Sequence, residues 1–352
     1  MDRLSTVVVI GAGASKELGL PLGSELKTEI ASLFGGAYMQ HDEITYDAVR
    51  HADLTENGVQ ASRPYWAVGE RIARAMPQAI SIDNFVHDQR DDSRIAICSK
   101  IAIARCILRA EENSKIFKAG ARSKSLDIRR QRGEQHFKFS DTEDTWLNQF
   151  FRNLTQSCTL DELPARFSNI TFVIFNYDRC IETFAVIWVS EYHGIPRTQA
   201  AGIVSSLRFL HPYGHVGPIS WNDRDPLPES FGITPRPDKL YELSKSIRTF
   251  TEGVEKESSR VDEIRNSLTE SKQVLFLGFG YIDLNLRLLG DMDRSYFPSR
   301  VIGTAQGLSA FDTSVVRSRL QDIFSTPEDQ IFLAADSCAK TVQDFSRALQ
   351  PA

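Results

Sequence analysis

Short runs of apolar, mostly β-branched residues recur along the chain, and each is followed by a turn containing Gly, Asn or Asp. Buried parallel strands show this pattern because both of their faces are covered. Four runs are the clearest, and two shorter ones extend the series: Thr6–Ile10, Ile170–Phe175, Gln273–Leu277 and Arg300–Gly303, then Leu207–Leu210 and Gln330–Ala334. Helical patterns lie between the runs, and this alternation predicts an α/β fold with a doubly wound parallel sheet.

The spacing of the runs is uneven, and the longest interval has a helical pattern. Roughly 160 residues separate the first two clear runs, far more than a crossover helix needs. Apolar residues recur at helical spacing in four segments of this interval: Tyr65–Met76, Ile82–His87, Ile95–Glu112 and Glu143–Thr155. We therefore predict a large helical insertion or subdomain at 36–165, covering one side of a sheet domain built from 1–35 and 166–352.

Composition and charge limit the class of protein. Apolar residues make up 41% and charged residues 25%, which is typical of a soluble globular protein. A net charge of −5 argues against a protein that binds nucleic acid with its whole surface. The basic segment Lys115–Arg132 is either a solvated helix face or loop, or a contact for nucleic acid or a partner protein.

The cysteines and the apolar runs predict a cytoplasmic protein without membrane contact. None of the five cysteines stands in a Cys-x-x-Cys pair: Cys98, Cys106, Cys158, Cys180 and Cys338. Scattered, odd-numbered cysteines fit reduced thiols rather than disulfides or a zinc ribbon. No apolar run approaches the ~20 residues of a membrane span, and the N-terminus has no signal-peptide pattern.

The first apolar run leads into the turn Gly11-Ala12-Gly13-Ala14-Ser15, followed by Leu18-Gly19-Leu20-Pro21. Glycines here let the backbone approach a pyrophosphate, whose charge is met by amides at the next helix N-terminus. The same turn also occurs where two segments pack tightly. Lys16 stands where the third glycine of the dehydrogenase fingerprint would fall, so a hydride-transfer enzyme is disfavoured.

The second clear run ends in Asn176-Tyr177-Asp178, with Glu182 shortly after. Open α/β sheets bind ligands at the carboxyl ends of their strands. Asn176 is suited to orient a water or a ribose hydroxyl, and Asp178 to bond ribose or hold a positive partner. The alternative is an Asx turn in which Asp178 caps the following helix.

Two histidines, His211 and His215, follow the short run Leu207–Leu210. Histidine acts as a general base near neutral pH, although many loop histidines are structural. No further Cys or His ligand lies close by in sequence, so a metal site is not predicted.

The run Gln273–Leu277 leads into a second glycine turn, Gly278-Phe279-Gly280, with Asp283 and Asn285 after it. This turn suits the adenosine half of a dinucleotide. Asp283 and Asn285 are either ribose ligands or caps of the next helix.

In this order, the four motifs resemble those of the sirtuin family of NAD-consuming enzymes, and Ser81–Phe85 resembles an Ile-Asp-x-Phe segment of its bacterial branch. The resemblance implies a Rossmann-type NAD-binding domain at 1–35 and 166–352, with NAD as substrate and no metal. The residues that it assigns to NAD binding are Gly11, Ala12, Gly13, Ala14, Ser15, Pro21, Asp83, Gly278, Phe279, Gly280 and Asn285.

The chain departs from the protein-deacylating sirtuins in two places. It lacks the two Cys-x-x-Cys pairs of their zinc ribbon, and it has Leu22-Gly23-Ser24 where they carry Asp-Phe-Arg. It is more similar to the NAD-degrading branch of bacterial antiphage systems, such as Thoeris effectors and the partners of Argonaute or HerA-type proteins. That resemblance implies an NAD+ glycohydrolase, the effector of an abortive-infection system. It also implies a HerA-type ATPase, Argonaute or TIR-domain protein as partner. Because an enzyme that depletes NAD has to be held inactive until needed, we expect control in trans or by oligomerisation, and we predict a homo-oligomer with the helical insertion as its assembly surface.

The resemblance also implies the catalytic residues. Asn176 would position water or ribose, and Asp178 would hold ribose or orient a histidine. The family's catalytic histidine precedes a glycine, but here Tyr213 precedes Gly214. Either His211 or His215 would then be the base, and His211 is favoured because it directly follows the strand. Two other functions stay open: a noncatalytic NAD or ADP-ribose sensor that regulates a partner, and a zinc-free protein deacylase.

Overall fold

The computed structural model describes residues 5–35, 42–57, 64–121, 137–224, 227–228, 230–250, 252, 258–290 and 298–349. Its strands are β1 (Thr6–Ile10), β2 (Ile170–Ile174), β3 (Arg208–Leu210), β4 (Gln273–Leu277), β5 (Arg300–Thr304) and β6 (Ile331–Ala334). They form one six-stranded parallel sheet in the order β3-β2-β1-β4-β5-β6. This is the strand order of doubly wound, Rossmann-type sheets, so the predicted fold class is confirmed.

The central strands are apolar because both of their faces are covered. Every residue of β1, β2 and β4 is buried. Thr6 of β1 pairs with Ile170 of β2 on one side and with Gln273 of β4 on the other. Each of the six predicted strands is present within one residue of its predicted bounds.

Helices surround the sheet. They are α1 (Ala12–Lys16), α2 (Gly23–Phe34), α3 (Glu43–Asn57), α4 (Pro64–Ala75), α5 (Ile82–Asp88), α6 (Ser93–Asn113), α7 (Lys115–Ala121), α8 (Trp146–Thr155), α9 (Leu163–Phe167), α10 (Cys180–His193), α11 (Arg197–Val204), α12 (Pro237–Ser244), α13 (Ser258–Thr269), α14 (Asp283–Leu289), α15 (Ala310–Phe324), α16 (Cys338–Asp344) and α17 (Ser346–Leu349). The four predicted helices correspond to α4, α5, α6 and α8. Within the described residues, no helix is long and apolar enough to cross a membrane.

Two hydrophobic cores lie on opposite faces of the sheet. On the α6 face, Val7, Val9 and Phe276 pack with residues of α2 to α6 and α12 to α15. On the α10 face, Val8 and Ile10 pack with residues of α7 to α11 and α16. Helices from 36–165 therefore contribute to both cores, and the expectation that this segment covers one side of the sheet is wrong. Helical spacing shows which residues are apolar but not which face they cover.

The basic segment of the insertion is only partly described. Lys115 of α7 forms an ion pair with Asp144, its Nζ lying 2.7 Å from Oδ2. Lys118 is also described. The remaining basic residues of this segment lie outside the described residues: Arg122, Lys124, Arg129, Arg130 and Arg132.

A buried ion pair joins the end of α6 to the segment that follows β2. Glu111 and Arg179 are both fully buried, and Arg179 Nε donates to Glu111 Oε1 over 3.0 Å. The amide of Gly232 donates to Glu111 Oε2, and Arg179 also donates to the carbonyls of Pro218 and Ser230. Burial raises the pKa of the Glu111 carboxyl, and the Arg179 guanidinium opposes this rise. The pair therefore ties Pro218, Ser230 and Gly232 to the end of α6 and to the segment after β2.

We expect Glu111→Gln to destabilise the protein by roughly 3 kcal/mol or more, because it leaves a buried guanidinium without its counter-charge. Urea unfolding measures this loss. Arg208→Gln is the matched control, since Arg208 pairs with Glu263 on the surface with 43% and 47% of the side chains exposed. Its cost should stay below about 1 kcal/mol, and equal costs for the two variants would contradict the assignment.

Candidate functional site

The two glycine turns lie against each other where β1 and β4 end. Gly11 N donates to Leu277 O over 3.0 Å, and Gly13 N donates to Gly278 O over 2.9 Å. A Cβ on Gly11 would lie 2.5 Å from Gly278 O, and one on Gly278 would lie 1.9 Å from Ala14 N. Gly278 also has a φ of 57°. These glycines are therefore required by the packing of one turn against the other, which was one of the two interpretations of the sequence pattern.

The contact between the turns lies at the topological switch point of the sheet. The strand order reverses between β1 and β4, and ligands of doubly wound proteins bind outside the strands at this point. A cavity of about 610 Å³ opens there. Its size is that of small-molecule sites, which span about 300–1,000 Å³.

Most of the site residues suggested by the sequence line this cavity. They are Gly11, Ala12, Gly13, Ser15, Pro21, Asp83, Asn176, Asp178, Gly278, Phe279, Gly280 and Asn285. Three are not part of its lining: Ala14, His211 and His215. Ala14 is fully buried in the core of the α10 face.

Gly280 differs from the other glycines of the two turns. A Cβ on Gly280 would lie 3.7 Å from its nearest neighbour, a carbon of Ile282. Because Gly280 lines the cavity without being pressed against protein atoms, its missing side chain leaves room for a ligand.

The turn after β1 offers fewer amides to an anion than its sequence suggests. Gly13 N is already bonded to Gly278, and Ala14 N donates to Gly11 O over 3.0 Å. A pyrophosphate placed on this turn would meet Ala12 first and would rely on other donors of the cavity.

Asn176 is held in one orientation by its own side-chain amide. Its Nδ2 donates to Gly11 O over 3.0 Å and to Ser15 Oγ over 2.8 Å. Since a carbonyl oxygen accepts but cannot donate, the amide nitrogen has to face Gly11, and Oδ1 is the atom available to a ligand. The end of β2 is thereby tied to the turn after β1.

Asp178 completes this network from a buried position. Its Oδ2 accepts from Ser15 Oγ over 2.8 Å, and its Oδ1 accepts from the amide of Cys180 at the start of α10 over 3.1 Å. Burial raises the pKa of Asp178, and these hydrogen bonds oppose the rise. Asp178 therefore makes the turn contact considered for it in the sequence, and it also orients Ser15.

Neither histidine faces the cavity as the sequence suggested. His211 is 6% exposed; its Nε2 lies 2.6 Å from Glu182 Oε1 and its Nδ1 lies 3.3 Å from Asn176 O. Both ring nitrogens thus face protein atoms rather than the cavity. Burial opposes the ionisation of Glu182, but His211, together with His215 and a backbone hydrogen bond, outweighs burial and lowers the pKa of Glu182.

His215 lies beside His211, with a ring separation of 4.8 Å, and its Nδ1 bonds Gly217 O over 2.8 Å. Burial first, and then His211, lower the pKa of His215.

Aromatic side chains form part of the cavity wall, together with two polar groups held by tyrosines. Tyr177 OH donates to Asp83 Oδ1 of α5, and Tyr213 OH donates to Asn285 Oδ1 of α14 over 2.7 Å. Phe279 packs edge-on to Phe175 with ring centroids 5.0 Å apart. Tyr177 and Tyr213 were not singled out for this role, because nothing in the sequence links them to partners so far along the chain.

Two further parts of the lining were missed. Lys16 is the basic residue among the described lining residues, and it pairs with Glu25 of α2, Nζ to Oε1 2.5 Å. The segment from Thr304 to Leu308 lines the cavity at the end of β5. The end of β5 also lies beside the switch point, so the rule that ligands bind outside the strand ends at this point could have predicted this segment.

Among the described residues, no group of three or more His, Cys, Asp or Glu is arranged to hold a metal ion.

The described residues thus form a Rossmann-type α/β fold with a cavity at its switch point. No protein-family model and no curated protein matches the chain. Among solved structures, a Sir2 homolog in complex with NAD aligns over 99% of this chain and 90% of that chain. The identity is 10% and the TM-score 0.33, a likeness too weak to bear on the ligand.

We expect Gly278→Ala and Gly280→Ala to differ sharply in stability. The first places a methyl group on Ala14 N and forces a left-handed residue, so it should cost on the order of 3 kcal/mol or more. The second has open space and should change stability by less than about 1 kcal/mol. Urea unfolding of both variants measures the difference; a tolerated Gly278→Ala would show that the turns do not touch as described.

Proposed function

We propose that the protein is an NAD+ glycohydrolase, which binds NAD+ in the switch-point cavity and cleaves the bond between nicotinamide and ribose. The observation that carries this proposal is the fixed amide of Asn176. Gly11 and Ser15 hold its nitrogen, so its oxygen is presented to a ligand in one orientation. Such a group is preorganised to accept a hydrogen bond from a ribose hydroxyl or from the attacking water.

The reaction breaks the bond between ribose C1′ and the ring nitrogen of nicotinamide. The electron pair goes to that nitrogen, so the cationic ring leaves as neutral nicotinamide. Water adds to C1′ and releases one proton to the solvent, and the products are nicotinamide and ADP-ribose. Glycosidic cleavage of this kind passes through an oxocarbenium-like transition state.

The neighbours of Asn176 act by holding it. Ser15 donates to Asp178, and this arrangement leaves the Ser15 oxygen lone pairs to accept from Asn176. His211 contacts the carbonyl of Asn176 and is held by Glu182. In this mechanism Asp178 and His211 are positioning residues, which replaces the earlier expectation of a histidine base in the cavity.

The biological role that we propose is that of an effector in an antiphage abortive-infection system. Two features of the sequence support this role: the order of its four motifs and its lack of Cys-x-x-Cys pairs. Together they resemble the NAD-degrading branch of sirtuin-like proteins. The proposal includes a cytoplasmic location, a homo-oligomer, and a HerA-type ATPase, Argonaute or TIR-domain protein as partner. It also retains 36–165 as an insertion within the NAD-binding domain, serving as the assembly surface.

We expect Asn176→Ala to lower the rate of nicotinamide release about 100-fold or more, because the ribose or the water loses its fixed acceptor. Chromatographic measurement of nicotinamide from NAD+ gives the rate. Asn169→Ala is the matched control: Asn169 precedes β2 as Asn176 follows it, and its side chain bonds Ala165 O at the opposite edge of the sheet. The mechanism fails when Asn176→Ala cleaves NAD+ as fast as Asn169→Ala.

A second candidate is a noncatalytic sensor of NAD or ADP-ribose. The observation in its favour is that both histidines lie outside the cavity lining. A sensor binds the nucleotide without releasing nicotinamide, also in the presence of its partner protein. Calorimetric binding measured together with nicotinamide release on one sample separates the two functions.

A further inference from the structure

Among the described residues, two carboxyl groups line the cavity, and their surroundings differ. Asp178 is 3% exposed and has both of its oxygens bonded by protein donors. Asp83 is partly exposed in the lining, in the first turn of α5, and accepts from Tyr177 OH. Asp83 is therefore the carboxyl group that a ligand can reach.

Asp83 has no positive partner within the part of the chain that the structure describes. No lysine or arginine there forms an ion pair with it, and Lys16, the basic residue of the lining, pairs with Glu25. Burial raises the pKa of Asp83, and the hydrogen bond from Tyr177 only partly opposes this. A largely desolvated carboxylate without a counter-charge is unfavourable in the free protein, and a cationic ligand in the cavity would remove that cost.

The walls of the cavity also suit a flat cation. Phe175, Tyr177, Tyr213 and Phe279 all line it. The rings of Tyr177 and Tyr213 lie 6.5 Å apart, tilted by 35°, and Phe175 contacts Tyr213 edge-on at 5.7 Å. Aromatic faces attract cations, most strongly where water is excluded.

We propose that Asp83, held by Tyr177, is the counter-charge for the pyridinium ring of NAD+ and makes the site selective for the oxidised dinucleotide over NADH. This inference rests on the proposed function only in taking NAD+ as the ligand. The nicotinamide ring carries a positive charge in NAD+ and none in NADH, although the two molecules have nearly the same shape. Cleavage also neutralises the ring, so the attraction to Asp83 ends when the product forms and nicotinamide is released.

Binding measurements with three nucleotides test the proposal without depending on catalysis. Carbocyclic NAD+, with a CH₂ group in place of the ribose ring oxygen, keeps the cation but cannot form the oxocarbenium ion. NADH lacks the cation, and ADP-ribose lacks the whole ring. By isothermal titration calorimetry, we expect the wild-type protein to bind carbocyclic NAD+ about tenfold or more tightly than NADH.

Asp83→Asn should weaken the binding of carbocyclic NAD+ about tenfold and leave that of ADP-ribose within about twofold. Asp83→Glu should keep most of the preference for the cation. Asp88→Asn is the control, because Asp88 is exposed at the far end of the same helix. An unchanged preference in Asp83→Asn, or an equal loss for ADP-ribose, would overturn the assignment. When the wild-type protein binds none of the three nucleotides, the proposed function itself fails.

The stability of the free protein provides an independent readout. The pKa of Asp83 is raised above its unfolded value, so its ionisation reduces the stability of the folded protein as the pH rises through the folded pKa. Tyr177 and Tyr213, the ionisable groups that face it, have pKa values raised by burial and by Asp83 and stay neutral. Asp83→Asn should therefore need more urea to unfold than the wild type at about pH 8, with the difference vanishing below about pH 4. If Asp83 had a purely structural role, Asp83→Asn would lower the urea concentration at the midpoint of unfolding at pH 8. That result would contradict the proposal.

Discussion

The turns after β1 and β4 touch backbone to backbone, and the geometry of the site depends on this contact. No side chain separates Gly11 and Gly13 from Gly278, so the two strand ends come within hydrogen-bonding distance. The same Gly11 carbonyl that the contact fixes accepts the side-chain amide of Asn176. The position of this asparagine is therefore set by the approach of two glycine turns, one before it and one after it in the chain.

Much of this arrangement could be predicted from local sequence patterns. Strands buried on both faces are apolar at every position, which makes them visible without knowledge of their neighbours. The rule that ligands bind outside the carboxyl ends of parallel strands then brings Asn176, Asp178 and the glycine turns to one edge of the sheet. The helices were less predictable, since the apolar stripes of α6 and α8 look alike although they cover opposite faces.

The contacts that decide the chemistry could not be predicted, because they join residues far apart in the chain. Asp83 meets Tyr177 across 94 positions of the sequence, and Tyr213 meets Asn285 across 72. His211 illustrates the same limit. Its place just after β3 predicts that it lies near the site, and it does contact Asn176, but its ring points to Glu182 on α10. The direction of one side chain depends on packing that a strand-end rule does not describe.

Buried charge is distributed unequally around the end of β2. Two carboxylates there, Glu111 and Glu182, are paired with Arg179 and His211, and these pairs hold the loops and the strand end in place. Pairing of this kind recovers much of the cost of desolvation. Asp83 lines the cavity at the same site without a cation among the described residues. In the proposal made above, a bound cation supplies the missing counter-charge, so part of the stability that the free protein loses at Asp83 contributes to affinity for the ligand.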